Sequence, residues 1–289
     1  MKKTSKTRLQ PMIDSTPDLF NKVRPSRSKD SGNTILEKSY PGGPLTMVGG
    51  NSPVGLSSVA VKKVYVDEVD RLPLDVGGEG SAVELATTRT ITFGNRKKIL
   101  LTSTPTRKGQ SIIDFEYEKT CQCEYHVPCP HCGVLQTLKF SQLKYEKDKY
   151  EDTYYECDHC NEKINERFKT KMLANGKWIA KFPERVDGIR WGYFINALYS
   201  PLGWYSWANM AKDYDDSEGD IPKRITFVNT KLGLCYEIEG DSPQWELIYA
   251  QRENYKLGTC KSNVAFITAG VDVQADRIEV EVVGWMKGK

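Results

Sequence analysis

Apolar residues fall along this chain in short runs that close abruptly on polar groups. The two clearest are VAVKKVYVDEVD, ending at Asp70, and KKILLTSTPT, ending at Thr106. Their centres, Val64-Tyr65-Val66 and Ile99-Leu100-Leu101, lack the polar alternation of a half-exposed strand, which predicts two buried parallel strands. Parallel strands deliver side chains to the carboxyl edge of their sheet, where α/β proteins carry out chemistry. On this reading Asp67 and Glu68 stand at the end of one strand, and Ser103, Thr104 and Thr106 at the end of the other.

The intervening and flanking text follows the same α/β grammar. TILEKSY and PLTMVGG read as two strands joined by a Pro41-Gly42-Gly43 turn. Ser81 to Arg89 predicts a helix with Ala82, Leu85 and Ala86 on one face, and Ser111 precedes another in SIIDFEYEK. The N-terminal stretch is basic, with Lys2, Lys3, Lys6 and Arg8 preceding a short helix that Pro17 or its neighbours end, then Lys22, Arg24, Arg27 and Lys29; a solvated basic loop is favoured for these over contacts to phosphates. From Lys169 to Leu234 aromatics abound. The spacing of Trp204, Trp207, Ala208 and Ala211 is that of a helical core face, favoured over base stacking. Pro222, Ile225, Val228 and Leu232 predict a second helix stopped by Gly233. Tyr236 to Pro243 reads as a linker. The C-terminal NVAFITAGVDVQADRIEVEVVGW reads as strand, turn at Ala275-Asp276, and strand, with Asp272 inside the first. An aspartate in an apolar strand is costly to bury unless paired or bound to metal.

Composition narrows the picture. With 289 residues there is room for two or three domains; 27% charged and 39% hydrophobic residues are the proportions of a soluble globular protein. The net charge of +3 announces no nucleic-acid partner globally. No run approaches membrane-spanning length, so a cytoplasmic protein without a membrane partner is expected.

Cysteine spacing is the sharpest motif. Of eight cysteines, six lie between Cys121 and Cys160. Cys129-Pro-His-Cys132-Gly and Cys157-Asp-His-Cys160-Asn are two CxxC knuckles, each followed by a residue tolerant of left-handed backbone. Two such turns close a four-cysteine Zn²⁺ site of structural type, a zinc ribbon. Cys121 and Cys123 are left as a surplus pair at the ribbon's entry, with one of them able to replace a ligand, and His126, His131 and His159 as solvated neighbours. At the strand edge, an acidic pair suits nucleotide hydrolysis: one carboxylate holds hydrated Mg²⁺ while its neighbour deprotonates water. The same pattern also occurs in caps and solvated turns, as does a Ser or Thr before a helix.

The order of these parts says more than any one of them. VYVDEVDRLP, then ILLTSTPT, the CPHC/CDHC ribbon, INALYSP, FVNTKLG and AGVDVQADRIEVEVVGW together resemble the large terminase subunit of tailed phages, of the lambda-like GpA family, over nearly the whole chain. That resemblance implies ATP-driven packaging of double-stranded viral DNA into a procapsid and endonucleolytic cutting, with the small subunit and the portal as partners. Asp67 would coordinate Mg²⁺, Glu68 would be the catalytic base on ATP, Ser103-Thr104 would belong to the coupling motif, and Asp272 would be the first nuclease metal ligand.

The implied architecture is α/β. Residues 1–118 form part of a P-loop-type ATPase sheet, 119–168 the zinc ribbon, 169–240 an aromatic-rich helical linker and 241–289 the start of an RNase H-like nuclease. No GxxxxGK[ST] loop occurs in the sequence. The chain is therefore expected to be a middle portion, inactive alone. The rival expectations are a non-catalytic zinc-ribbon module that binds DNA or a partner, and a prophage remnant.

Overall fold

The computed structural model describes residues 2–23, 33–237, 256, 258–260, 262–273 and 278–286. Arg24, Arg27 and Lys29, most of the expected 236–243 linker and the expected Ala275-Asp276 turn lie outside them. The chain divides into two compact units, Met1–Glu237 and Ile238–Lys289.

The first unit opens with α1 (Lys2–Thr4), a π-helical turn, α2 (Gln10–Ser15) and α3 (Pro17–Phe20). Pro17 starts a helix as well as ending one, because the residue before proline is pushed out of helical backbone; Thr16 is extended, with φ −109° and ψ 108°. Strands β1 (Glu37–Tyr40) and β2 (Gly43–Thr46) form the expected antiparallel hairpin. Next come α4 (Pro53–Ser57), β3 (Lys63–Asp67), α5 (Ala82–Thr88), β4 (Lys98–Thr102) and α6 (Ile112–Glu118). Ser52, Ser81 and Ser111 cap the three helices by accepting the N–H of Gly55, Glu84 and Asp114.

Strands β3 and β4 pair in parallel, in register from Lys63↔Lys98 to Asp67↔Thr102. Their burial corrects the expectation. Tyr65 is 62% exposed, and Leu100, its partner in register, is 56% exposed, while Val64 and Val66 on the other face are half-buried. A parallel strand becomes dry on both sides only when layers cover both faces, and among the described residues this sheet has two strands and one uncovered face.

The principal core lies further on. Strand β5 (Cys123–Pro128) pairs with β6 (Leu135–Gln136). Strands β7 (Leu143–Glu146), β8 (Lys149–Glu156) and β9 (Lys163–Ile164) make an antiparallel meander. Then follow α7 (Lys169–Ala174), β10 (Lys177–Ala180), antiparallel to β5, and β11 (Tyr193–Phe194), parallel to it. Helices α8 (Trp207–Asp215) and α9 (Ile221–Phe227) complete the unit, and Gly233 ends the final turn in left-handed backbone at φ 68°. Val127, Tyr155, Ile164, Leu198, Trp207 and Met210 are fully buried in one cluster. Trp207 anchors it, donating Nε1–H to the Leu198 carbonyl at 3.0 Å.

Trp204, expected on the same helical face, is 82% exposed. Ser206 caps α8 through the Asn209 N–H, so the helix begins at Trp207 and Trp204 stays outside its periodicity.

In the second unit, β12 (Val264–Val273) and β13 (Ile278–Met286) form an antiparallel hairpin in which Asp272 lies opposite Glu279. Asp272 is exposed and one residue from the strand's end, so no burial cost attaches to it here. No helix among the described residues is long and apolar enough to cross a membrane.

Candidate functional site

The β3 and β4 ends lie side by side and carry a connected set of polar groups. Asp67 is exposed at the last position of β3, and its Oδ1 accepts the Thr102 hydroxyl at 2.8 Å and the Glu68 N–H at 3.1 Å. Tyr65 Oη lies 3.2 Å from the same Thr102 hydroxyl. Glu68 adopts left-handed backbone (φ 54°, ψ 50°), rare for a residue with a long side chain, and this kink ends the strand with the Glu68 side chain exposed. Val69 directly after it is fully buried and fastens the turn.

Asp70, which sequence reasoning left unassigned, is the most connected acid. Its Oδ1 accepts the Ile113 N–H at 2.8 Å and its Oδ2 the Thr106 hydroxyl at 3.1 Å. Its own N–H reaches Ser103 Oγ at 3.3 Å, and Ser103 in turn donates to the Thr104 carbonyl at 2.8 Å. Asp67, Glu68, Ser103 and Thr104 are therefore brought to one edge, with Asp70 tying that edge to the start of α6. The signal for Asp70 was the third acid of DEVD, and for Thr102 the matched ends of two equal strands.

The cysteines of the two knuckles converge. The thiols of Cys129, Cys132, Cys157 and Cys160 all lie within 4.8 Å of one another. Cys129 and Cys160 are 3.9 Å apart, as are Cys132 and Cys157. The knuckles repeat each other's geometry. The N–H groups of His131 and His159 each donate to the first thiol of their turn at 3.4 Å. Gly133 (φ 75°) and Asn161 (φ 58°) close the turns onto the Cys129 and Cys157 carbonyls at 2.9 Å and 3.1 Å.

Burial pushes the Cys129 thiol up to about 12. Burial also opposes ionisation of Cys157, but N–H groups from Cys160 and His159 and neighbouring thiols bring it down to about 7. Four thiols converging on one point can all ionise only beside a positive partner, so the donor set fits a single metal ion. Cys121 and Cys123 stand apart from it, buried and 3.6 Å from each other. Asp272 belongs to the separate hairpin, where the structure brings Glu279 opposite it.

Two family models match the chain. One, described as Phage terminase large subunit gpA, ATPase domain, covers residues 1–178. The other, Terminase large subunit gpA, endonuclease domain, covers residues 190–289. The chain is 30% identical over 313 residues to the large terminase subunit of Escherichia phage lambda, an alignment covering 98% of this chain and 47% of that protein. It is 29% identical over 309 residues to the large subunit of Enterobacteria phage P21, with the same coverage of 98% and 47%. The chain thus spans about half the length of the curated relatives it matches. No solved structure matches it.

Proposed function

The chain belongs to the phage terminase large subunit gpA family, and from that premise we propose that it works in ATP-driven packaging of double-stranded viral DNA and in cutting that DNA. In this reading residues 1–118 belong to a P-loop-type ATPase sheet, 119–168 form a zinc ribbon, 169–240 link the parts, and 241–289 enter an RNase H-like nuclease. The complete enzyme would act in the host cytoplasm with a small terminase subunit and the portal of a procapsid.

One observation carries the ATPase reading: an acidic strand end hydrogen-bonded across the sheet to the hydroxyl-rich end of its parallel neighbour, through Thr102 and Asp67 at 2.8 Å. Asp67, with one oxygen oriented by that bond, offers a hard oxygen ligand to hydrated Mg²⁺, which offsets phosphate charge when bound. Glu68 orients the attacking water and takes its proton. Ser103 and Thr104, on the loop that Asp70 ties to α6, sense the γ-phosphate and pass its loss to that helix. Asp272 supplies the first carboxylate of the nuclease site.

Zn²⁺ fits the cysteine tetrad. A tetrahedron with Zn–S near 2.3 Å has sulfur–sulfur edges of about 3.8 Å, close to the 3.9 Å separations of both cross-knuckle pairs. All four positions are filled by protein, so the role is structural.

The test is ATP hydrolysis by the complete enzyme. Glu68→Gln is expected to lower turnover at least ~100-fold while ATP binding is retained. Turnover at the wild-type rate would remove Glu68 from the reaction.

A further inference from the structure

An aromatic ladder runs along one face of the β10–β5–β11 sheet. Trp178 and Tyr125 are paired in register across β10 and β5, their rings 5.0 Å apart. Tyr193 of β11 meets Trp178 edge-on at 5.0 Å, and Trp191 stacks on Tyr193 at 6.5 Å with 12° between the planes. The inner rung is pinned to the core, since Tyr125 donates its hydroxyl to the Leu173 carbonyl at 2.7 Å. The outer rungs are open to solvent: Trp178 is 42% exposed, Trp191 46% and Tyr193 57%. Their support is stiff, because β5 runs directly into the Cys129 knuckle.

Burial would be the ordinary fate of such rings, and these three are not buried. The charge of the segment that carries them indicates what covers them. Residues 169–194 carry six Lys or Arg against two acids, more net positive charge than the whole chain's +3. Five of the six are exposed; Lys177 alternates with Trp178 along the edge strand β10 and leaves its opposite face, while Arg190 adjoins Trp191 in sequence. The core of a protein–protein contact is depleted in lysine, whereas open aromatic rings on a cationic segment suit unstacked bases on a phosphate backbone. A duplex hides its base faces inside the stack and offers such a ladder only phosphates.

We propose that the Trp178–Tyr193–Trp191 ladder binds single-stranded DNA, the bases stacking on the rings and the exposed cations of residues 169–194, Arg190 beside Trp191 first among them, meeting the phosphates. This surface goes beyond the proposed nucleotide and nuclease chemistry and uses none of Asp67, Glu68 or Asp272. Its failure is therefore separable from theirs.

The experiment is fluorescence anisotropy of a labelled 20-nucleotide oligo(dT), and of a duplex of equal length, titrated with the purified full chain. Expected is single-strand binding that weakens as salt rises and is at least about tenfold tighter than duplex binding. Trp178→Ala and Tyr193→Ala should each weaken it about five- to tenfold. Trp178→Phe should restore most of the loss, and Trp204→Ala, exposed but off the ladder, should leave binding unchanged. Zinc content and circular dichroism establish that each variant is folded. Trp191→Ala, at the ladder's open end, repeats the test where truncation touches least of the core. Equal affinity for duplex, or full affinity in all three alanine variants, would overturn the proposal. So would self-association abolished by Trp178→Ala without any oligonucleotide binding, which would assign the face to a protein contact.

Discussion

The carboxylate of Asp70 receives the Ile113 N–H at 2.8 Å across 43 residues of sequence, and through its other oxygen the Thr106 hydroxyl at 3.1 Å. One half-buried side chain thus joins the end of β3, the loop after β4 and the first turn of α6. Removing the acceptor strands a backbone donor and a hydroxyl together. Asp70→Ala is expected to cost roughly 1–3 kcal/mol, and Asp70→Asn, which keeps one acceptor oxygen, about half as much. Urea denaturation measures both; an unchanged midpoint in Asp70→Ala would show that the clamp is ornamental.

The cysteine tetrad predicts about one zinc per chain by elemental analysis after purification under reducing conditions. Cys157→Ser, which alters a fully buried thiol of the set, should abolish zinc binding and lower the melting temperature, whereas Cys235→Ser, outside the set, should do neither. Because the thiols must shed protons to bind metal, occupancy should fall as pH is lowered. Full zinc content in Cys157→Ser would mean that another donor completes the site.

The outcome for these elements shows where local pattern suffices. Helices α5 and α6 were legible because Ser81 and Ser111 announce their starts with side-chain chemistry that acts over three residues. The two knuckles were legible because the spacing within each sets where its thiols point. Strands β3 and β4 were legible as strands but not in their burial, since apolarity reports what a strand can cover and not which layers are present to cover it. Asp70 escaped notice because its partners lie far off in sequence. Trp178, Trp191 and Tyr193 lie in the aromatic-rich region whose core reading rested on the helical spacing around Trp207, a spacing they do not share. Their exposure follows from the pairing of β10 and β11 with β5, a contact no periodicity announces.

Tyr199 gives a pH dependence of definite sign. Its hydroxyl donates to the Tyr125 carbonyl at 2.6 Å and accepts the Leu138 N–H at 2.7 Å. Burial, reinforced by Glu124 and Tyr125 and opposed by the Leu138 N–H, pushes its phenol up to about 12. The folded chain therefore keeps a proton that the unfolded chain sheds near pH 10. The stability is whole below about pH 10 and is lost as pH rises towards 12, by roughly 2–3 kcal/mol for this group. Tyr155, raised by burial as well, adds a loss of the same sign. Tyr199→Phe should be less stable at neutral pH and should show a shallower alkaline decline in melting temperature. A parallel decline in both proteins would take Tyr199 out of the transition.

Glu68 separates stability from chemistry. A residue with a Cβ held at φ 54° bears a strain of roughly 1–2 kcal/mol that glycine does not. Glu68→Ala keeps the strain and removes the carboxylate; Glu68→Gly removes both. If the kink is held by the buried Val69 that follows it, the two variants should share the same fold, with Glu68→Gly more stable than Glu68→Ala by about 1 kcal/mol in urea titrations. In the complete enzyme both should lack ATP turnover to the same extent, because the proposed base is absent from each. A variant pair that differed in turnover but not in stability would invert the assignment. It would make the backbone kink, and not the carboxylate it presents, the feature on which hydrolysis depends.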